Sequence, residues 1–463
     1  MDFINEKYIS ELLEDARLND RSLQKDVLKR SREAKGLTLK ESASLLNITS
    51  PDLLEELFHT AREVKEKIYG NRLVLFAPLY VTNSCINNCL YCAFRKDNSL
   101  LKRKTLTINE IKSEIEFLVR QGHKRVLLVA GEHPKKSNLQ FIHDAIDAIY
   151  SIHLNGGNIR RVNVNTAPLS IDEFKILKSF GIGTYQCFQE TYHYETYQQM
   201  HPSGPKHDYS WRLYAMDRAL QAGIDDVGIG ALFGLTDYKF ETLAVLNHAL
   251  NLDDRFGIGP HTISIPRLEP AFNAPLSNKP PFAVDDSSFK KLLAVIRLAV
   301  PYTGIILTTR ERAELRRELF SLGVSQISAG SRTSPGAYKE SQDIMEEHEM
   351  EQFQLGDHRT LDEVVKDCCG LGFLPSFCTA CYRSSRTGDR FMELAKSGNI
   401  GKLCVPNAIS TFDEYLIDYA SDSTKKVGGD FVTREIEKLD GVTKSKTLKM
   451  QERVESGERD VYY

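Results

Sequence analysis

The chain has 463 residues, enough to bury one large hydrophobic core or two ordinary ones, so a small disulfide-stapled scaffold is excluded. Its 60 basic and 63 acidic side chains give a formal charge of −3, which excludes the global basic excess typical of partners of nucleic acids and anionic membranes. The apolar runs are far shorter than the ~20 residues that span a bilayer, and the first residues are charged rather than signal-like. We therefore expect a soluble, cytoplasmic protein with neither nucleic-acid nor membrane partners.

Residues 1–70 are predicted to form a helical extension. Thr38 and Glu41 stand in the spacing of a capping box before an apolar run, in which the hydroxyl caps the helix and the carboxylate reciprocates. Nothing in this extension indicates chemistry.

From about residue 73 the chain alternates apolar, β-branched runs with amphipathic stretches of helical length, as parallel strands with helical crossovers do. The eight candidate strands span residues 73–81, 125–130, 161–166, 184–189, 226–233, 261–266, 304–309 and 326–329. Eight such units match a (β/α)8 barrel of the TIM type, here placed at 71–340, whose functional groups lie at the carboxyl ends of the strands. A doubly wound open sheet is the main alternative.

After about residue 345 the alternation stops, and residues 341–463 are predicted to form a mainly helical appended domain. Its end, from Ser423 onward, is highly charged and is expected to be surface helix or a loosely held tail.

The nine cysteines indicate metal or redox chemistry, because an odd number argues against a disulfide framework. Cys85, Cys89 and Cys92 have the spacing CxxxCxxC after the first predicted strand. Three thiolates can hold three irons of a 4Fe-4S cube and leave the fourth iron open to a substrate. A zinc site is the alternative, but this loop supplies no fourth ligand.

A second triplet lies in the appended domain, where Cys378 and Cys381 are followed 22 residues later by Cys404. It again supplies three ligands, and a zinc site completed by a neighbouring cysteine is the alternative. The remaining cysteines are expected to be packed thiols: Cys187, Cys368 and Cys369.

The first triplet resembles the radical S-adenosylmethionine (SAM) superfamily, in which CxxxCxxC follows the first barrel strand and an aromatic residue, here Tyr91, precedes the third cysteine. The resemblance implies a 4Fe-4S cluster on Cys85, Cys89 and Cys92 whose open iron chelates the amine and carboxylate of SAM. It also implies reductive cleavage of SAM to a 5'-deoxyadenosyl radical, which abstracts a hydrogen atom.

Further positions resemble SAM-binding motifs of that superfamily. The tripeptide 130–132 resembles its GGE motif except at the first position, which suggests Gly131 for close backbone approach and Glu132 for the SAM ammonium. The segment 185–191 resembles biotin-synthase-like members, which suggests Glu190 for the SAM ribose or ammonium. Arg212 matches an arginine that pairs with the SAM carboxylate. From the residues alone, two alternatives remain open. Residues 130–132 could be an ordinary turn, and Arg212 could be a solvated charge on a helix.

The second triplet, with its flanking segment 377–383, resembles the HydG family of FeFe-hydrogenase maturases, over the barrel and the cysteine domain. The resemblance implies cleavage of L-tyrosine at Cα–Cβ to p-cresol and dehydroglycine, and breakdown of dehydroglycine to carbon monoxide and cyanide. It further implies capture of these products on a second 4Fe-4S cluster with an additional iron and a free cysteine as external ligand. Implied partners are hydrogenase maturation proteins and a reductant such as ferredoxin or flavodoxin.

His261 begins the sixth predicted strand and therefore points toward the amino-terminal mouth of the barrel. From the residues alone it is a packed or capped histidine, whereas the resemblance implies that it binds the additional iron. The appended domain must then plug that mouth, roughly 20 Å or more from the first cluster. For tyrosine, Arg310 is the candidate that holds the carboxylate, assisted by Ser328 and Ser331; a helix-starting arginine is the alternative.

Two other functions remain open. A 2-iminoacetate synthase of thiazole biosynthesis would share the barrel but lack the second cysteine domain. A non-catalytic iron-sulfur scaffold or carrier would need no SAM pocket.

Overall fold

The computed structural model describes residues 3–18, 20–340, 349–384, 386–397 and 400–462. Four helices precede the sheet: α1 Glu6–Arg17, α2 Arg21–Ser31, α3 Leu39–Leu46 and α4 Pro51–Tyr69. The predicted capping box is present, since Thr38 Oγ1 accepts from Glu41 N at 3.3 Å and the Glu41 carboxylate accepts from Thr38 N at 2.8 Å. The apolar face of α4, with Leu57 and Val64 buried, joins the main core.

A closed parallel barrel of eight strands follows. Its strands are β1 Arg72–Thr82, β2 Arg125–Ala130, β5 Arg161–Asn165, β6 Tyr185–Gln186, β7 Val227–Gly230, β8 Thr262–Ser264, β9 Gly304–Leu307 and β10 Gln326–Ser328. A short hairpin, β3 His153–Leu154 with β4 Gly157–Asn158, lies outside it. The ring closes because β1 pairs with β2 on one side and β10 on the other, with Phe76 opposite Ser328. The barrel prediction is confirmed, and the open doubly wound sheet is wrong.

The crossover segments are helical, as their amphipathic pattern predicted. Their helices are α5 Ile108–Arg120, α6 Leu139–Ser151, α7 Ile171–Ser179, α8 Tyr194–Met200, α9 Tyr209–Leu213, α10 Ala215–Gln221, α11 Tyr238–Phe256, α12 Asp286–Ala299, α13 Ala313–Leu322 and α14 Ala337–Glu340. A 3-10 turn, Pro205–His207, precedes α9. Because helices cover the outer face of the barrel, strands such as β9 are buried along their whole length.

The appended domain is mainly helical. Its elements are α15 Leu361–Gly370, β11 Leu374–Ser376, α16 Ala380–Arg383, α17 Gly388–Lys396, α18 Ile400–Asp418, α19 Asp422–Glu437 and α20 Gly441–Glu455. Strand β11 pairs in parallel with the first residues of β1, with Arg72 opposite Leu374 and Val74 opposite Ser376. This pairing docks the appended domain at the amino ends of the barrel strands.

The charged end of the chain is held by packing. Helix α20 buries Met450 and Val454 with Val461, and Ser410 Oγ donates to the Val461 carbonyl at 2.9 Å. In the part that the structure describes, this end of the chain therefore forms surface helix, as predicted. The alternative prediction, a loosely held tail, is wrong for that part. Within the described ranges, no helix has the length and apolarity needed to cross a bilayer.

Candidate active site and second cysteine cavity

A large cavity opens at the carboxyl ends of the barrel strands. It encloses about 1420 Å³ of empty space, including the part open to solvent. Every candidate predicted for this end of the barrel lines it: Cys85, Cys89, Tyr91, Cys92, Gly131, Glu132, Glu190, Arg212, Arg310, Ser328 and Ser331. Residues from all around the barrel thus converge on one space, as strand ends in a closed ring must.

The loop that carries the first three cysteines is closed by Arg103. Its Nη1 donates to the carbonyls of Asn83 and Phe94, both at 2.7 Å, and its Nη2 donates to the Arg95 carbonyl at 2.6 Å. One guanidinium thereby ties the residues just before the first cysteine to those just after the third. The backbone of the cysteine loop is therefore held closed by contacts within the protein.

The donor chemistry of this loop fits an iron-sulfur cluster. Burial raises the pKa of Cys89 to about 12 and that of Cys92 to about 11, so their thiolates need a bound cation. Among the described residues, no three His, Cys, Asp or Glu side chains surround one point as a single-ion site requires. A 4Fe-4S cube takes one thiolate at each iron, whereas a zinc ion takes all its ligands at one point. Three thiols spread over a loop therefore fit the cluster better than a zinc ion.

Glu190 stands at the end of the fourth barrel strand with a backbone φ of +71°, a conformation that non-glycine residues rarely adopt. Its Oε1 accepts from Lys206 Nζ at 2.6 Å and lies 3.9 Å from Arg212 Nη2. Burial acts to raise the pKa of Glu190, but the two cations outweigh burial and lower it. The cavity wall therefore carries an ionised carboxylate between two cations.

Gly131 and Glu132 support the cysteine loop from the second strand. A Cβ on Gly131 would lie 2.5 Å from the Ser84 carbonyl oxygen, so the close approach that requires glycine is to this loop. Glu132 Oε2 accepts from Asn87 Nδ2 at 2.6 Å. Tyr91 is anchored at the far side, where its hydroxyl shares a 2.7 Å hydrogen bond with His201 Nε2.

The three candidates for binding tyrosine differ in how many of their side-chain hydrogen-bonding groups already have a partner in the protein. The Arg310 guanidinium carbon lies 3.2 Å from the centre of the Phe353 ring, and among the described residues it has no carboxylate partner. Ser331 Oγ is buried without a hydrogen-bond partner. Ser328 Oγ already accepts from the Thr309 backbone N–H at 3.0 Å. Arg310 and Ser331 thus keep all their side-chain hydrogen-bonding groups for a ligand, whereas Ser328 has used one acceptor site and keeps its O–H to donate.

A second cavity lies at the opposite, amino-terminal mouth and encloses about 530 Å³ of empty space. Cys378, Cys381, Cys404 and His261 all line it. Cys378 comes from the loop after β11, Cys381 from the short helix α16 and Cys404 from α18, and His261 directly precedes β8. The appended domain and the barrel thus build this cavity together, as the amino-terminal position of the histidine predicted.

His261 presents an imidazole that is available for binding. Burial lowers its pKa, which keeps the ring neutral. Its Nδ1 has no hydrogen-bond partner and lies 3.7 Å from Asp226 Oδ1. A neutral imidazole with a free nitrogen is the form that binds metals.

The second thiols are coupled to one another. A hydrogen bond between Cys381 and Cys404 lowers the pKa of Cys404 and raises that of Cys381. Arg125 Nη2 donates to the Cys378 carbonyl at 2.9 Å and fixes that loop. The cysteines expected to be packed thiols lie in the hydrophobic core: Cys187, Cys368 and Cys369.

Comparisons with known proteins agree with this geometry. Residues 79–247 match the model of the Radical SAM superfamily, and residues 264–374 match the Biotin and Thiamin Synthesis associated domain. A crystal structure of HydG, described as a maturase of the FeFe-hydrogenase, is 51% identical with a TM-score of 0.96, and the match covers 100% of both chains. The chain belongs to the HydG family.

A second member of the HydG family, from Carboxydothermus hydrogenoformans, is 42% identical over 96% of this chain and 97% of its own, with a TM-score of 0.84. The 2-iminoacetate synthase of Escherichia coli (strain K12) is 31% identical over 349 residues, which cover 75% of this chain and 89% of that enzyme. The family is one of radical SAM enzymes, and membership implies a 4Fe-4S cluster and SAM.

Sequence reasoning missed several side chains that line or hold the two cavities. Lys206, which pairs with Glu190, belongs to no recognised motif and reaches the cavity from the 3-10 turn Pro205–His207. Only the closeness of Arg103 to the cysteines in the sequence could have suggested that its guanidinium closes their loop. Arg72 and Arg125 line the second cavity. Each is the first residue of a strand, and the sequence alone suggests an ordinary surface charge at both positions.

Proposed function

We propose that this chain is a radical SAM lyase that cleaves the Cα–Cβ bond of L-tyrosine to p-cresol and dehydroglycine. It then converts dehydroglycine to carbon monoxide and cyanide, assembled on an auxiliary iron-sulfur cluster for maturation of FeFe-hydrogenase. The observation that carries the proposal is a single barrel with a three-cysteine cavity at each mouth. The first fits a radical-generating site, and the second fits a site that receives its product.

In the first cavity, Cys85, Cys89 and Cys92 would hold a cluster that, with SAM, supplies hydrogen-atom abstraction. Arg212 offers the SAM carboxylate a guanidinium already oriented by its Nε, which donates to the Phe188 carbonyl at 2.7 Å. Glu190 supplies a carboxylate that stays ionised for an ammonium or a ribose hydroxyl.

Tyrosine would bind on the opposite wall of the same cavity. The Arg310 guanidinium, oriented by the Phe353 ring, would take the amino-acid carboxylate in bidentate fashion. Ser331 Oγ, which has no partner in the protein, would add a hydrogen bond. These two contacts would orient the amino-acid end of tyrosine beside the radical-generating group.

In the second cavity, Cys378, Cys381 and Cys404 would hold the auxiliary cluster, and His261 would bind the additional iron. The free Nδ1 and lowered pKa of this histidine suit that role. An external cysteine would complete the coordination. A ferredoxin or flavodoxin would supply electrons, and the other hydrogenase maturation proteins would accept the product.

A Cys404→Ser variant tests the division of labour. Under anaerobic conditions with SAM, reductant and tyrosine, we expect it to keep forming p-cresol and 5'-deoxyadenosine while it loses carbon monoxide. The matched control is Cys369→Ser, the same change at a buried thiol outside both cavities. SAM cleavage without p-cresol in the wild type would count decisively against the lyase.

The second candidate is 2-iminoacetate synthase, favoured by the 31% identity that extends over 89% of the Escherichia coli enzyme. It predicts p-cresol but neither cyanide nor carbon monoxide from the wild type. A non-catalytic carrier would instead leave the EPR signal of the reduced first cluster unchanged when SAM is added.

A further inference from the structure

A segment that follows the barrel, residues 349–357, reaches the loop of the first three cysteines, and Gln352 lies against that loop. The Gln352 backbone N–H donates to the carbonyl of Thr333, beyond β10, at 3.0 Å. Its backbone carbonyl accepts from the N–H of Ala93, the residue after Cys92, at 3.3 Å. The main chain of Gln352 is therefore held between the end of the barrel and the cysteine loop.

The Gln352 side chain bonds to a thiol of that loop. Its Nε2 donates to Cys92 Sγ at 3.7 Å, and its Oε1 accepts from the Tyr80 hydroxyl at 2.8 Å. Among the described residues, no other side chain donates to the sulfur of Cys85, Cys89 or Cys92. Burial raises the pKa of Cys92 to about 11, and the Gln352 amide acts in the opposite direction because it stabilises the charged sulfur.

Tyr80 determines which end of the Gln352 amide faces the sulfur. Its ring is buried edge-to-face against Phe94, with 6.0 Å between the ring centres. Burial raises the pKa of Tyr80, so the hydroxyl keeps its proton and donates it to the amide oxygen. A thiolate has no proton to donate, so the sulfur accepts only. The amide of Gln352 therefore directs an N–H group, rather than its oxygen, at Cys92.

We propose that Gln352 is a positioning residue that raises the reduction potential of the first cluster through its hydrogen bond to Cys92. Reduction adds one electron to the cluster and so increases the negative charge on its sulfurs. An N–H group directed at a sulfur stabilises the reduced form more than the oxidised form, and such bonds are among the factors that set cluster potentials. The inference rests on the proposed function only in that the first three cysteines hold a 4Fe-4S cluster.

The first test is a redox titration of the wild-type holoenzyme and of Gln352→Met, in which the EPR signal of the reduced first cluster is followed. Methionine is an unbranched side chain of similar length that has no N–H group. We expect the equilibrium constant for reduction to fall about 3-fold to 10-fold in the variant, the range for a net hydrogen bond. For one electron, a 10-fold fall is a potential more negative by about 59 mV. An unchanged midpoint potential overturns the proposal.

Tyr80→Phe tests the same hydrogen bonds without changing the residue that contacts the sulfur. It removes the hydroxyl that orients the amide, so the potential should fall by less than in Gln352→Met. In the double variant the two effects should not add, because Tyr80 acts only through Gln352. Additive effects would show that Tyr80 acts on the cluster by itself and would overturn this part of the proposal. If Gln352→Met assembles no first cluster, Tyr80→Phe decides, and an unchanged potential there overturns the proposal.

The matched control is Gln354→Met, the same change two residues further along the segment, where the side chain is exposed. We expect the wild-type potential in this variant. A fall as large as that in Gln352→Met would mean that any change in the segment lowers the potential, and the hydrogen bond to Cys92 would not be its cause. Because no titration contains SAM or tyrosine, failure of the lyase leaves a measured shift standing, and an absent shift leaves the lyase untouched.

Discussion

The two cysteine cavities are built in opposite ways. The first takes its three thiols from one loop of eight residues, closed by the Arg103 clamp. The second takes its thiols from two separate segments of the appended domain and its imidazole from the barrel. The first cavity is built by the barrel, its own loop and three residues that follow the barrel, Gln352, Phe353 and Leu355. The second exists only while the helices of the appended domain are docked.

The charges that line the two cavities also differ. In the first cavity Glu190 pairs with Lys206 and lies near Arg212, while Arg310 has no carboxylate partner among the described residues. In the second, no Asp or Glu is among the described lining residues. Burial acts to lower the pKa of Arg72 there, but the thiols of Cys404, Cys378 and Cys381 outweigh burial and raise it. The first cavity thus keeps a free cation for an anionic ligand, whereas the cation of the second already faces its thiols.

The largest expected effect comes from removing a thiol of the first loop. Cys89→Ser should abolish SAM cleavage entirely, because two thiolates cannot hold the cube in place. The second cavity should be unaffected, and the EPR signal of the auxiliary cluster should persist. Iron and sulfide analysis with 5'-deoxyadenosine measurement checks this, and Cys404→Ser serves as the reciprocal variant. Loss of both clusters in either variant would show that the cavities are not independent.

The second-largest expected effect comes from a change at the interface between the barrel and the appended domain. Glu414 of α18 accepts from Arg160 at 2.6 and 3.1 Å and lies 3.0 Å from Lys124 Nζ, all nearly inaccessible to solvent. Glu414→Gln leaves Lys124 without its charged partner and Arg160 with only Asp460, whose Oδ1 lies 3.3 Å from Arg160 Nη1. Breaking one side of such a buried network costs at most about 3–5 kcal/mol. We expect a lower thermal-unfolding midpoint and loss of auxiliary iron, while the iron of the first cluster is retained.

The matched control for this variant is Glu437→Gln, a change at an exposed carboxylate on α19. It should change the free energy of unfolding by less than about 0.5 kcal/mol. Equal loss of iron from the two clusters in Glu414→Gln would contradict the independence of the first cavity from domain docking.

The sequence predicted the features of these cavities that depend on residues close together in the chain. It did not predict those that depend on residues far apart in the chain. The barrel and the residues at its strand ends could be predicted, because strand alternation and cysteine spacing are local patterns. Strand β11 could not, because Leu374–Ser376 is short and contains Pro375, which argues against a strand. Its pairing with β1 joins positions about 300 residues apart, which no local sequence pattern encodes.

The third prediction concerns a residue that sequence reasoning missed. Lys206→Met removes the 2.6 Å partner of Glu190 and leaves a buried carboxylate with Arg212 at 3.9 Å. We expect the dissociation constant of SAM to rise about 10-fold to 100-fold, as for loss of a charge-assisted hydrogen bond. Lys175→Met, which breaks an exposed lysine–carboxylate pair, should change nothing measurable. Unchanged SAM affinity in Lys206→Met would mean that Glu190 takes no part in binding.

The smallest effect tests what holds Glu190 in its unusual backbone conformation. Behind it, the Glu241 carboxylate accepts hydrogen bonds from the Thr191 hydroxyl and, at 3.1 Å, from the Tyr192 backbone N–H. Burial raises the pKa of Glu241 to about 8, well above its ordinary value in an unfolded chain. Near neutral pH the folded protein therefore holds a proton that the unfolded chain releases.

The sign of the pH dependence follows from that proton. The contribution of Glu241 to stability is complete below the unfolded pKa and is lost as the pH rises through about 8, at no more than about 1.4 kcal/mol per pH unit. The thermal-unfolding midpoint of the wild type should fall relative to that of Glu241→Gln between about pH 6 and about pH 8, since the glutamine cannot ionise. SAM affinity should fall only as the pH passes through about 8, where Glu241 ionises in the folded wild type, and should not change there in Glu241→Gln. A relative midpoint that does not change over this range would mean that Glu241 is already ionised in the folded protein, since neither state then takes up or releases a proton there.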